Sequence, residues 1–225
     1  MRKLLFLAVM LVNSLAALAE DGVTAKVATS QDLKEATVSV FLTNDVQYVA
    51  FQMDIVFPTT MKLSASEPVP TGRLVDESGN VVNFTIAYQM VNDYTLRVLA
   101  YNMDNRAIAG TSGTCLFTVT LTDQNATAAA ATASDWTPSL NQNLFVKNTD
   151  ALPEVNLTET SNVVNGYVAG DVVPNGEIDV NDIVGLIAII YGKDTTGLNV
   201  DAADVNNDSA YDVNDIVGII SLIYK

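Results

Sequence analysis

The sequence contains no histidine, and this absence excludes several kinds of catalytic chemistry. Of its 225 residues none is His and 1 is Cys. Ser-His-Asp and Cys-His catalysis, and zinc sites with histidine ligands, therefore lack their central residue. The single cysteine excludes an internal disulfide and a cysteine-cluster metal site. We expect Cys115 to be a buried apolar side chain and not a reactive thiol.

Basic residues are also scarce. The chain has 11 Lys and Arg against 26 Asp and Glu, a formal net charge of −15, which argues against nucleic-acid binding. Hydrophobic residues make up 49%, enough for a buried core and too many for a disordered chain. The length suits one ordinary domain and a small second one. The functions that remain open are carboxylate chemistry, calcium binding, sugar binding and protein–protein contact.

No long apolar run is present beyond the N-terminal residues, so we expect no membrane span. The first residues carry positive charge at Arg2 and Lys3, a short apolar run follows, and Ala17 and Ala19 form a small-x-small cleavage signal. This pattern predicts a secretory signal peptide over residues 1–19, since a membrane anchor needs about 20 apolar residues. We expect the mature protein to be exported, either secreted or held at the cell surface.

Residues 20–167 alternate between apolar and polar residues with a period of two. This pattern is typical of half-buried strands and predicts a mainly β fold, an antiparallel β-sandwich. Two further short strands are expected near residues 144–146 and 163–168, and a loop is expected at residues 126–133. The apolar faces are Val38, Val40 and Leu42; Val49, Phe51, Met53, Ile55 and Phe57; Val82, Phe84, Ile86 and Tyr88; Tyr94, Leu96, Val98 and Ala100; and Cys115, Phe117, Val119 and Leu121.

Residues 22–166 resemble a cohesin-like domain. Residues 50–58 (AFQMDIVFP) resemble an early strand of that family, and residues 110–119 (GTSGTCLFTV) resemble its Gly-rich turn that enters a late strand. The resemblance implies a sandwich that binds a dockerin-bearing protein. Some carbohydrate-binding modules share this sandwich, so its ligand remains open between a protein and a glycan.

The last 58 residues, 168–225, contain an internal repeat. Residues 179–185 (DVNDIVG) recur unchanged as residues 212–218, at an offset of 33. The second copy is preceded by a 12-residue loop whose oxygen-bearing positions 1, 3, 5, 7, 9 and 12 have the spacing of an EF-hand calcium loop. The expected ligands of this second loop are Asp204, Asn206, Asp208, the backbone carbonyl of Ala210, Asp212 and Asp215.

The first copy has a similar loop with one ligand missing. Val173 stands at position 3 and carries no side-chain oxygen, whereas Gly176 supplies the sharp turn at position 6. Asp and Asn residues in such a segment can also serve only as helix caps and turn residues. The presence of two copies at a fixed offset favours calcium binding instead. We expect two calcium ions, the second loop binding more tightly. The expected ligands of the first loop are Asp171, Asn175, the carbonyl of Glu177, Asp179 and Asp182.

Two calcium loops, each followed by one helix, resemble a type I dockerin module. The resemblance implies a calcium-dependent contact with a cohesin-bearing protein, in a bacterial polysaccharide-degrading or cell-surface complex. Loop positions 10 and 11 are commonly Ser or Thr in that family, whereas here they are Val180-Asn181 and Val213-Asn214. We therefore expect a partner that does not read hydroxyl groups at these positions.

Each predicted helix has two apolar faces. Ile183, Leu186 and Ile190 form a face to be buried, and the second face either packs on the rest of the chain or is exposed for a partner. We predict the partner-binding role for the second face and the two residues that precede it. These residues are Val180, Asn181, Val184, Ile187, Ala188 and Tyr191, and in the second copy Val213, Asn214, Val217, Ile220, Ser221 and Tyr224.

The leading hypothesis is a secreted, non-catalytic assembly or adaptor protein. The alternative is a carbohydrate-binding module that its dockerin delivers to a glycan-degrading complex. Its candidate platform residues are Tyr48, Tyr88, Tyr101 and Trp136. An enzyme is disfavoured, because no spacing singles out a catalytic pair among the available carboxylates. Those carboxylates are Asp54, Asp76, Glu77, Asp93 and Asp104.

Overall fold

A computed structural model describes most of the chain. The described residues are 20–75, 82, 84–104, 106–108, 110, 115–125, 132–149 and 151–224, without the side chain of Asn165. The predicted signal peptide lies outside them. So do residues 111–114 of the Gly-rich segment, residues 126–131 of the expected loop, and the two carboxylates Asp76 and Glu77.

Two β-sheets account for most of the described residues before the C-terminal repeat. Strand formation follows the period-two pattern, because one face of each strand enters the core. The strands are β1 (Gly22–Thr29), β2 (Glu35–Thr43), β3 (Tyr48–Val56), β4 (Leu63–Ala65), β5 (Val69–Pro70), β6 (Phe84–Asn92), β7 (Thr95–Asn102), β8 (Phe117–Asp123), β9 (Ser139–Lys147), β10 (Glu154–Asn156) and β11 (Asn162–Val168).

The six-stranded sheet has the order β11-β1-β2-β8-β4, with β5 also paired to β8, and the five-stranded sheet has the order β10-β9-β3-β7-β6. The prediction of a purely antiparallel sandwich is wrong at one edge. There β11 runs parallel to β1, with Thr24 opposite Asn162. A parallel neighbour requires a long connection, and β1 and β11 are separated by most of the chain.

The core between the sheets is apolar and aromatic. Phe51 stacks between Phe117 and Phe145, with ring centroids 6.0 and 5.4 Å apart. Cys115 is buried, as predicted, and burial raises the pKa of its thiol. The apolar faces expected for β2, β3 and β8 are buried. Tyr88 is exposed instead, because β6 is the edge strand of its sheet.

The C-terminal residues form two helices of 11 residues each, α1 (Val180–Ile190) and α2 (Val213–Ile223). Asp179 and Asp212 cap their N-termini by accepting the backbone N–H of Asn181 and Asn214. A second, smaller core holds the helices and loops together, and its buried members are Val172, Leu186, Ala203 and Ile219. No helix among the described residues has the length and hydrophobicity needed to cross a membrane.

Candidate functional site

The second loop is held in shape by hydrogen bonds from its backbone to its own carboxylates. Asp204, at position 1, accepts the N–H groups of Asp208 and Ser209 at 3.1 and 3.0 Å. Asp215, at position 12, accepts the N–H of Val205 at 2.9 Å and that of Asp212 at 3.0 Å. These bonds tie both ends of the loop together, so its oxygen-bearing side chains are gathered on a short, closed segment.

The other side chains of this loop follow the same scheme. Asn206 accepts the N–H of Asp208 at 3.0 Å, and Asp208 accepts the N–H of Ala210 at 2.8 Å. Each carboxylate oxygen has about two lone-pair sites, so one backbone hydrogen bond leaves capacity for a cation. The spacing in the sequence thus corresponds to a series of turns in the structure. At loop positions 1, 3 and 5, a side-chain oxygen accepts a backbone N–H from a residue further along the loop.

The first loop repeats this geometry. Asp171 accepts the N–H groups of Asn175 and Gly176, both at 3.1 Å, and Asp182 accepts those of Val173 and Asp179 at 2.8 and 2.7 Å. Val173 contributes only its backbone at position 3. The two loops therefore share one hydrogen-bonding scheme, but the first lacks the side-chain oxygen of position 3 and has Asn175 where the second has the carboxylate of Asp208.

Negative charge is concentrated and partly buried in both loops. Asp171, Asp182, Asp204 and Asp215 are buried. Burial, together with the neighbouring carboxylates, raises the pKa of Asp171 and of Asp204, although backbone N–H groups act in the opposite direction. The ion pairs Lys26–Asp201, Lys34–Asp32 and Arg97–Asp54 involve carboxylates outside the two loops. A bound cation would relieve this repulsion.

The donor set of the loops suits a hard cation. Within the part of the chain that the structure describes, no three Asp, Glu or Cys side chains are assembled into a ready metal site. Calcium loops, however, also draw on amide and backbone carbonyl oxygens and take 6–8 ligands, as a general rule. In the second loop Asn206 and the carbonyl of Ala210 would complete the carboxylates of Asp204, Asp208, Asp212 and Asp215. In the first, Asn175 and the carbonyl of Glu177 would join Asp171, Asp179 and Asp182.

The second apolar face of each helix is exposed. On α1 the exposed side chains are Val180, Val184, Ile187 and Tyr191, and on α2 they are Val213, Val217, Ile220 and Tyr224. Tyr191 is 73% exposed and Tyr224 is 85% exposed, which is unusual for large side chains in a protein with a formed core. We call these two sets the α1 stripe and the α2 stripe. The second face could either pack on the rest of the chain or be exposed, and these residues are exposed.

The remaining predicted partner residues are placed differently. Ala188 is half-buried and Ser221 is exposed, with its hydroxyl donating to the carbonyl of Val217 at 2.9 Å. Asn181 and Asn214 are exposed, but each turns its amide back to the capping carboxylate, Asp179 or Asp212, at 3.0 and 3.3 Å. Their side chains thus close the ends of the loops, and they border the stripes without adding to the apolar surface.

The second loop also contacts the sandwich, which the sequence did not indicate. Asn207, at loop position 4, accepts a hydrogen bond from Ser39 Oγ of β2 at 2.9 Å, and its carbonyl lies 3.8 Å from Cys115 Sγ. Just before the loop, Asp201 pairs with Lys26 of β1 at 2.8 Å. Ser39 and Lys26 occupy polar positions of strands, which sequence patterns assign to solvent, so no local signal identifies this contact.

The aromatic residues considered for sugar binding are mostly unavailable. Trp136 is fully buried, packs edge-on against Phe57 and donates its Nε1–H to the carbonyl of Leu33 at 3.0 Å. Tyr48 is also buried, and its hydroxyl donates to Asp21 at 2.5 Å. Of the two positions open to Trp136, an exposed platform or the core, the structure shows the core. Tyr88 remains exposed, beside a small hollow of about 170 Å³ that Gln52, Gln89 and Arg97 help to line.

Comparisons with known proteins found similarity at the level of fold. No protein-family model matches the chain, and no match was found among curated proteins. The cohesin CaCohA2 from Clostridium acetobutylicum is 15% identical, with a TM-score of 0.42 and coverage of 67% of this chain and 93% of that chain. A non-cellulosomal cohesin from the hyperthermophilic archaeon Archaeoglobus fulgidus is 13% identical, with a TM-score of 0.41 and coverage of 64% and 88%.

A third similar structure is the cohesin module of a family 33 glycoside hydrolase from Clostridium perfringens. It is 12% identical, with a TM-score of 0.44 and coverage of 64% of this chain and 98% of that chain.

Proposed function

We propose that this chain is an exported, non-catalytic assembly protein that docks onto a cohesin-bearing partner through its calcium-loaded C-terminal module. The observation that carries the proposal is the pair of exposed apolar stripes at equivalent positions of α1 and α2. Exposed apolar surface of this kind usually marks a contact site. Calcium would hold each loop closed and thereby fix the start of the helix that presents the stripe.

The chemistry of the module indicates what the partner must offer. Residues 168–225 contain ten acidic residues and two basic ones, Lys193 and Lys225. A matching partner surface would have an apolar centre for Val184 and Ile187, or their α2 equivalents, and basic groups at its rim. The helices themselves carry no arginine or lysine, so this side would contribute apolar surface at the centre of the contact and negative charge at its rim.

The sandwich would supply a second contact surface, and a dockerin-bearing protein is the proposed partner there. Catalysis is not part of the proposal, because Asp54, the most central of the candidate carboxylates, is held by Arg97 in a two-pronged ion pair at 2.6 and 2.7 Å. Of the four residues considered for a sugar platform on the sandwich, Tyr88 is exposed and Tyr101 is half-buried. A single exposed ring is a weak sugar platform, so protein docking is the better-supported role.

The proposal is tested by binding of the chain from Glu20 to Lys225 to purified cohesin modules in calcium, measured by calorimetry. The test variant is the double change Val184→Asp and Val217→Asp, which places a charge in both stripes. We expect it to weaken binding about tenfold or more, because central apolar contacts dominate such interfaces. The matched control is Val91→Asp, an exposed valine of β6. Equal affinities for the two variants, or no cohesin bound by the natural sequence, would contradict the docking role.

A further inference from the structure

One side of the second loop faces the expected cation, and the other side faces the sandwich. Asn207 stands between ligand positions 3 and 5 and has a positive φ of 59°. Its side chain accepts from Ser39 Oγ and its carbonyl lies close to Cys115 Sγ, so the residue is directed at the sandwich. The neighbouring N–H of Asp208 is bound by Asp204 and Asn206. The groups that would hold the cation therefore also fix the position of Asn207.

Two further contacts attach the module to the six-stranded sheet. Lys26 of β1, which lies over the ring of Phe41 at 5.5 Å, pairs with Asp201, and Ala169 donates its N–H to the carbonyl of Thr29 at 3.3 Å. Ser39 is buried although it lies on the outer face of β2. The sandwich surface under the second loop is thus covered by the chain's own module.

The first loop makes no comparable contact through the same position. Its residue at position 4 is Pro174, which is exposed and has neither an amide side chain nor a backbone N–H. The two loops, related by the repeat, have therefore diverged at the residue that faces the sandwich. This divergence gives the second loop a role that the repeat alone does not require.

The attachment borders a cleft of about 780 Å³ between the two parts, walled by Thr37 and Thr120 on one side and by Ile178, Val205 and Leu222 on the other. The buried apolar cluster of the sandwich and that of the module are separate, so the two parts do not share a core. Interfaces of this kind within a chain permit relative motion.

We propose that the second loop couples its cation to the seating of the C-terminal module on the sandwich, so that calcium acts as a clamp between the two parts. This inference rests on the proposed calcium binding. Without the cation, repulsion among Asp204, Asp208 and Asp215 opens the loop and withdraws Asn207 from Ser39. Coupling between two binding events is reciprocal, so the contact with Ser39 must in turn raise the calcium affinity of the second loop.

The test compares Ser39→Ala with Ser64→Ala in the chain from Glu20 to Lys225. Both changes remove one serine hydroxyl from the six-stranded sheet, but Ser64 lies on β4 and accepts only from Gln124 within the sandwich. Calcium titration by calorimetry should show the tighter site weakened about threefold to tenfold in Ser39→Ala, the effect of one hydrogen bond, and unchanged in Ser64→Ala. Small-angle scattering of the natural sequence should give a larger radius of gyration in chelator than in calcium.

The outcomes separate the clamp from the function on which it rests. If calcium binds and supports the helices but the two variants titrate alike, the clamp is wrong and the calcium loops stand. The same conclusion follows if the radius of gyration is independent of calcium. If the natural sequence binds no calcium, both the clamp and the calcium-dependent docking fall. The fluorescence of Trp136 reports in each variant whether the sandwich is folded.

Discussion

At position 6 of each loop, the same backbone conformation is adopted by two different residues. Gly176 has a φ of 85° in the first loop, and Ser209 has a φ of 67° in the second. A left-handed conformation costs a residue with a Cβ about 1–2 kcal/mol, whereas glycine adopts it freely. The first loop thus has the better turn residue and lacks a ligand at position 3, while the second has a full ligand set and a strained turn.

Exchanging these turn residues should shift stability in opposite directions. Gly176→Ala should destabilise the C-terminal module, and Ser209→Gly should stabilise it, each by about 0.5–1 kcal/mol once the chain entropy of glycine is deducted. An added Cβ at Gly176 meets nothing within 4 Å, so its cost is that of backbone strain alone. Thermal unfolding in saturating calcium, followed by the helical circular dichroism signal, measures both. Shifts of the same sign would show that strain at this position does not govern loop stability.

Single residues also show what a sequence pattern leaves undetermined. Trp136 and Tyr88 were both among the candidates for a sugar platform, yet one lies in the core and the other on an edge strand. Trp136 lies in a loop-like segment without regular alternation, so the sequence does not indicate whether it is buried. The burial of Ser39 on the outer face of β2 was equally unpredictable, because it depends on a contact with Asn207, 168 residues further along the chain.

The secondary-structure elements were more predictable than their pairing. The alternation of Phe51, Met53 and Ile55 identified β3, and the repeated DVNDIVG segments identified both helices. β1 was missed although Val23, Ala25 and Val27 alternate in the same way, and its parallel partner β11 is formed from the other end of the sandwich. Local periodicity records which face is buried, whereas strand order depends on contacts distant in sequence.

At the scale of the loops, the missing oxygen of Val173 makes the two repeats unequal. Asp204→Ala and Asp171→Ala each remove a buried carboxylate that accepts two backbone N–H groups, so their structural costs match. In calcium, Asp204→Ala should destabilise the module more, by about 1–2 kcal/mol, because it disables the loop with the full ligand set. In chelator both variants should lose most of their helical signal alike. Denaturant titration in calcium and the helical signal in chelator are the measurements, and a difference that persists in chelator would assign it to packing instead of metal.

At the scale of the whole molecule, two signals report on the two parts separately. The chain has 1 Trp, and Trp136 is buried in the sandwich against Phe57. The two α-helices of the described residues, by contrast, both lie in the C-terminal module. Tryptophan fluorescence therefore follows the sandwich, and the helical circular dichroism signal follows the module. This separation allows the role of calcium to be measured in the intact chain without dividing it.

Removing calcium should unfold the module and leave the sandwich folded. The module carries ten acidic residues against two basic ones, and its small core has four buried apolar residues, so repulsion in the loops opposes a modest apolar contribution. A cation that binds only the folded form stabilises it by about 2.7 kcal/mol at a hundred times its dissociation constant. We therefore expect chelator to abolish most of the helical signal while the fluorescence of Trp136 keeps its buried character, and added calcium to restore the signal. A helical signal indifferent to chelator would reduce the two loops to helix caps, and simultaneous loss of both signals would mean that the sandwich itself depends on the metal.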